Sequence, residues 1–316
     1  MSETPASNFS TERKLGALDF SRGFVEAARL YTENPDIRTT SGTAVVTGLI
    51  SAFPEKVNFE CLNKSPEFAR LCAISRVAVL INDYIDMQGY LDSPEGKELK
   101  VEIEQLWEDN LKKIGFDNQM PLEDKKTIQS YMAGITLLDS LERENPDNSS
   151  KGIIKAKELE NAISIVHCSA TLLTQKEINA DCFDLQEDIH KKQLEEKYAW
   201  MLEGNPENEV QRRLCGIYNI IMLTQTIDDQ FDFKVDDTMQ IKNLYSSILK
   251  EHVGCKDKAD KRLEEIQNHY FANAKKFGIT NLAFLGNKIA FNLYKTMQYK
   301  FPEKVGGYRE RLCRMN

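Results

Sequence analysis

The chain of 316 residues predicts an all-α fold, a single antiparallel helical bundle around a central cavity. Apolar residues recur at helical spacing in stretches of roughly 20 to 30 residues, and no alternating strand pattern of useful length interrupts them. Most of the nine prolines punctuate these stretches instead of breaking them. Roughly ten helices with short connectors are expected on this pattern.

Taken in order, residues 1–20 (MSETPASNFSTERKLGALDF) carry no apolar stretch of signal-peptide kind. Residues 1–12 are expected to be a flexible N-terminus, ahead of one helical domain over 13–316. Ser65-Pro66-Glu67 reads as the N-cap, first-turn proline and first-turn acid of one helix, and Ser93-Pro94-Glu95 as those of the next. Pro121, Pro146, Pro206 and Pro302 fall in polar connectors such as ENPDNSSKG (144–152) and EGNPENE (203–209). A domain boundary would fall at 144–152. The two acidic segments of the chain lie on either side of it, so cooperation between them requires one domain.

Composition narrows the function classes. With 41 basic against 49 acidic residues, the formal net charge of −8 argues against nucleic acid or an anionic membrane surface as partner. No apolar run approaches the roughly 18 residues of a transmembrane span. The seven cysteines (Cys61, Cys72, Cys168, Cys182, Cys215, Cys255 and Cys313) form an odd set without CxxC spacing. Buried free thiols in a reducing compartment account for them, and a cytoplasmic location is expected. His167, His190, His252 and His269 make no metal-spaced pair and read as structural residues. Neither a GxSxG nor a P-loop occurs.

The chemistry is concentrated in two segments. Residues 214–237, LCGIYNIIMLTQTIDDQFDFKVDD, run an apolar helix into five aspartates. At 100° per residue, Asp228, Asp232, Asp236 and Asp229 fall at about 0°, 40°, 80° and 100°, so four carboxylates share one arc. Asp237 lies off it. Like charges so placed repel, and Asp forms helices less well than Glu, so a positive partner is expected there. Residues 71–86, LCAISRVAVLINDYID, repeat the pattern with Asn82, Asp83 and Asp86. A single DxxD is ordinary for a solvated helix face in so acidic a chain. Two of them, each ending an apolar helix, point instead to hard oxygen ligands for Mg²⁺, or Mn²⁺, that could grip a diphosphate between them. The central Gly and closing Glu of a calcium loop are missing.

On these residues the chain resembles the class I isoprenoid synthases. Asn82-Asp83-Tyr84-Ile85-Asp86 looks like their first aspartate-rich motif with Asn in the leading place. Gln225 followed by Asp228, Asp229 and Asp232 is similar to the second motif of trans-prenyl diphosphate synthases. Gln225 followed by Asp228, Asp232 and Asp236 resembles that of squalene and phytoene synthases. Asn243, Ser247 and Glu251 match the spacing of a terpene-cyclase metal triad, without its usual Asp after the Asn. The region after Asp86, MQGYLDSPEGK, lacks the paired arginines of chain-elongating enzymes.

The resemblance implies a Mg²⁺-dependent enzyme that ionises an allylic isoprenyl diphosphate and forms a carbon–carbon bond, by trans-prenyl transfer or squalene/phytoene-type coupling. The implied metal ligands are Asn82, Asp83, Asp86, Asp228, Asp229, Asp232 and Asp236, with Asp83, Asp86, Asp228 and Asp232 central to catalysis. Arg76, on the helical face of Asp83, and Gln225 are candidates to contact the diphosphate. Tyr84 and Phe231 flank the motifs and could shield the cation. Cyclisation of a terpene is the alternative within the class, and a catalytically inactive helical scaffold or partner subunit the alternative outside it. A homodimer stays open.

Overall fold

The computed structural model describes residues 40–57, 65–113, 120–144, 147–185, 189–239, 241–280 and, beyond them, residues 288–289, 291–292, 295–296 and 300. The expected flexible N-terminus, Cys61, Cys313 and Pro302 lie outside the described residues. Those residues form eleven α-helices, two short 3₁₀ turns (Pro54–Lys56 and Ala180–Phe183) and no strand. The helices are α1 (Thr40–Ala52), α2 (Pro66–Asp86), α3 (Gln88–Leu91), α4 (Lys97–Lys113), α5 (Leu122–Glu144), α6 (Ser150–Ser169), α7 (Gln175–Ile178), α8 (Lys191–Leu202), α9 (Glu209–Met239), α10 (Leu244–Glu251) and α11 (Lys256–Lys276). The all-α prediction holds.

Helix α9 is the axis. Its 31 residues span about 46 Å, and every residue from Leu214 to Thr224 is buried. Around it pack α1, α6, α8, α10 and α11. Helix α1 approaches it closely because Gly48 faces Ile217: a Cβ there would lie 2.7 Å from the Ile217 side chain. Helix α2 packs on α1, α4, α5 and α6. The two acid-bearing helices, α2 and α9, are thus tied together through α1 and α6, which leaves space between their acidic ends.

One hydrophobic core runs from Val45 to Phe291 and includes residues on both sides of 144–152. A smaller cluster of Leu80, Met87, Leu91, Leu99, Ile103 and Met239 closes the end where α2, α4 and α9 meet.

The start of α2 follows the predicted cap: the Ser65 side chain accepts from Phe68 N at 3.3 Å, with Pro66 in the first turn. The next start is corrected. Helix α4 begins at Lys97, and Ser93 belongs to a turn, its hydroxyl donating to Tyr90 O at 2.7 Å and accepting from Gly96 N at 3.2 Å. The Tyr90 carbonyl crowds Gly96 so closely that any Cβ would collide with it, so the chain turns here before it can enter a helix. Cys72, Cys168, Cys182 and Cys215 are buried free thiols and Cys255 is exposed. Among the described residues, no helix is long and apolar enough to cross a membrane.

Candidate functional site

A cavity open to solvent lies between α2, α6 and α9, with single residues from α1 and α5 in its wall. Asn82, Asp83 and Asp86 reach it from α2, and Gln225, Asp228, Asp229 and Asp236 from α9. The two acidic segments therefore meet, as their sequence pattern predicts. Aliphatic lining comes from Val45, Ala78, Val79 and Ile241.

The positive partner demanded by the aspartate arc is supplied by two lysines that sequence reasoning missed. Lys157 of α6 lies 3.1 Å from Asp229 Oδ1. Burial disfavours its ammonium, but Asp229, Glu160, Asp86 and Asp236 outweigh burial and raise its pKa. Lys295, fully buried, places Nζ 2.7 Å from Asp232 Oδ2 and 2.7 Å from Asp228 Oδ1. The first contact is a directed hydrogen bond. The second is close enough to be an ion pair but is not a directed hydrogen bond, and among the described residues Asp228 Oδ1 is buried without a hydrogen-bond donor.

The remaining aspartates are held by polar groups. Asp229 also accepts from Gln225 Nε2 at 3.2 Å and from the backbone N of Leu244 at 2.9 Å. Asp236 accepts from Asn243 Nδ2 at 2.8 Å. Asp237 points away and pairs with Lys250 at the surface, 3.7 Å apart. Three of the four arc aspartates, Asp228, Asp229 and Asp236, thus line the cavity, and off-arc Asp237 does not. Asp232 is corrected in one respect: it lies on the arc, but its carboxylate turns to Lys295 and does not line the cavity.

On α2, Asp83 is buried at the wall, whereas Asp86 is exposed at the mouth. Asn82 has both ends of its amide engaged: Nδ2 donates to Glu160 Oε1 at 2.6 Å, and Oδ1 accepts from Tyr131 at 2.8 Å. It positions Glu160, and its expected role as a metal ligand is not supported by this geometry. Burial, with Glu160 and Asp86 close by, keeps the Tyr131 phenol protonated well above its usual range. The Cys168 thiol, also on the wall, is pushed up to about 11 by burial, so it is no thiolate nucleophile at neutral pH.

Three further expectations are corrected. Arg76 turns to α4, where Nη1 donates to Asn110 Oδ1 at 3.0 Å. Tyr84 packs on the smaller hydrophobic cluster, with Lys100 Nζ 5.9 Å from its ring centre. Phe231 packs on the main core. None of the three lines the cavity. At 100° per residue, Tyr84 and Phe231 lie about 100° from Asp83 and Asp232, enough to put adjacent residues on different faces. The cyclase-like triad is structural as well. Asn243 caps α10 through Ser246 N (2.9 Å), Ser247 Oγ donates to Asn148 O (2.7 Å), and Glu251 accepts from Ser150 N (2.6 Å) and Ser150 Oγ (2.8 Å) at the start of α6.

The donor chemistry of the cavity, carboxylates without imidazole, suits a hard divalent cation. Among the described residues, however, no three His, Cys, Asp or Glu side chains converge on one point where a metal ion could be held. Lys157 lies within the field of four of the acids. A cation entering the site would compete with that ammonium. No family model matches the chain, and neither a curated protein nor a solved structure shows significant similarity to it.

Proposed function

We propose that the chain is a divalent-cation-dependent isoprenoid synthase that ionises an allylic prenyl diphosphate and forms a carbon–carbon bond, by squalene/phytoene-type coupling or trans-prenyl transfer. The observation that carries this reading is the meeting of Asp83 and Asp86 with Asp228, Asp229 and Asp236 on the walls of one cavity. Asp83 and Asp86 on one wall and Asp236 on the other are the carboxylates between which Mg²⁺ or Mn²⁺ would be shared with the diphosphate, and the ion would supply Lewis-acid neutralisation of the leaving group. Lys157 can exchange Asp229 for a diphosphate oxygen, so its charge is conserved while its partner changes. Val45, Ala78, Val79 and Ile241 offer apolar surface against which the hydrocarbon chain is shielded from water. Terpene cyclisation loses its supporting motif, because Asn243, Ser247 and Glu251 serve as helix-end contacts.

A second reading, a helical scaffold without turnover, is favoured by two specific observations. Lys157 and Lys295 already neutralise the second motif, and the aliphatic share of the cavity wall is small. Incubation with geranyl, farnesyl or geranylgeranyl diphosphate, with and without isopentenyl diphosphate, separates the two. Mg²⁺-dependent diphosphate release with a prenyl product supports the enzyme; no release from any of them supports the scaffold.

A further inference from the structure

A second cavity opens between α6, α9, α11 and the C-terminal end of α8. It shares no wall residue with the first. Its inner wall is polar. Tyr270 OH donates to Glu158 Oε1 at 3.0 Å, which leaves Oε2 of that carboxylate for another donor. Asn219 commits Nδ2 to Cys215 O at 2.7 Å and keeps its side-chain oxygen as an acceptor. Tyr218, only 3 % exposed, has a hydroxyl with no hydrogen-bond partner among the described residues.

These features are costly unless a partner meets them. A buried hydroxyl left unpaired costs about 1–3 kcal/mol, and phenylalanine would fill the same volume without that cost. Glu158 adds a second unmet demand: burial raises its pKa, and among the described residues no cation pairs with it directly, although the field of Lys155 reaches it. The acids of the first cavity, by contrast, have Lys157 and Lys295 against them. An acceptor-rich pocket with one unmatched carboxylate and one unmatched hydroxyl calls for a donor that carries positive charge. His269, Asn273 and Lys276 mark its exposed side, where Lys276 is turned to Asn273 Oδ1 at 2.9 Å.

We infer that this second cavity binds a small ammonium ligand bearing a hydroxyl, an amino alcohol in chemical class, with the ammonium on Glu158 and the hydroxyl on Tyr218 and Asn219. The inference goes beyond diphosphate chemistry and does not rest on it. Saturation-transfer NMR on the full chain, with ethanolamine as probe and ethylene glycol as its uncharged counterpart, tests it. Ethanolamine is expected to bind and ethylene glycol not. Glu158→Gln and Tyr218→Phe should each weaken binding by about tenfold or more, the loss of one charge-assisted or well-placed hydrogen bond. Tyr218→Phe should melt at or above the temperature of the parent, which separates lost binding from lost folding. No ethanolamine signal, an equal signal from ethylene glycol, or binding untouched by Tyr218→Phe would overturn the assignment.

Discussion

Replacing Lys295 by methionine tests how the acidic arc is held. Its ammonium is fully buried and lies 2.7 Å from one carboxylate oxygen each of Asp228 and Asp232, themselves 13 % and 11 % exposed. Removing the cation leaves two largely buried like charges on adjacent turns of α9, and breaking a buried pair in this way costs about 3–5 kcal/mol. At an unfolding entropy of roughly 2.1 cal/mol/K per residue, that cost lowers the melting temperature by about 5–8 °C. Thermal and urea unfolding at neutral pH measure it. Adding Asp228→Asn and Asp232→Asn to Lys295→Met removes the stranded charges and should recover more than half of the loss, because the penalty lies in the uncompensated acids and not in the missing methylenes. Lys295→Met that melts within about a degree of the parent, or a triple variant no more stable than the single one, would refute this account of the arc.

Further outcomes follow from local contacts. Glu251→Ala removes the carboxylate that accepts from Ser150 N and Oγ at the positive end of α6, and should cost about 1–3 kcal/mol in urea unfolding. Gly48→Val drives a side chain into Ile217 of α9 and should cost about 1–3 kcal/mol by overpacking, read by the same assay. Burial lowers the pKa of His167 to about 4. Its Nδ1 donates to Ile163 O at 2.8 Å and its Nε2 accepts from Ser130 Oγ at 3.1 Å, the tautomer required by the carbonyl. The neutral ring is favoured in the folded state, so its stabilisation is complete above pH 6.5, the ordinary histidine value, and is lost toward pH 4 as the unfolded chain takes up the proton first, by roughly 3 kcal/mol in total. The stability difference between the parent and His167→Asn should therefore shrink over that range, and a difference independent of pH would contradict the assignment.

The helical character of the chain was legible because its apolar spacing is long-range and repeated, and α9 shows why: Leu214 to Thr224 are buried on every face, as an all-round apolar segment requires. The arc was legible for the same geometric reason. Asp228, Asp229 and Asp236 reach the cavity, Asp232 lies beside them, and Asp237 faces solvent. What was not legible was the counter-charge. Lys295 comes from a distant segment with no local pattern to mark it, and only tertiary packing brings it to Asp228 and Asp232. Lys157 had a readable sign, since Lys157, Glu160, Asn161, Ser164 and Cys168 form one polar stripe at helical spacing, and all of them line the cavity. Tyr84 and Phe231 sit beside the acids in sequence but about 100° from them around their helices, whereas Arg76 shares the face of Asp83 and is drawn away two turns earlier by Asn110 of α4. Ser93-Pro94 failed as a helix start because its capping-like residues served a turn instead.

The central claim is that the two acidic helix ends act together on an allylic diphosphate, and Mg²⁺-dependent release of diphosphate by the parent, Asp83→Asn and Asp237→Asn measures it most directly. The account predicts release that is abolished by a chelator and reduced at least about 10²-fold by Asp83→Asn, roughly 2.7 kcal/mol of transition-state stabilisation. Asp237→Asn, whose side chain is at the surface with Lys250, should match the parent. No Mg²⁺-dependent release from any allylic diphosphate, or full activity in a folded Asp83→Asn variant, would contradict it.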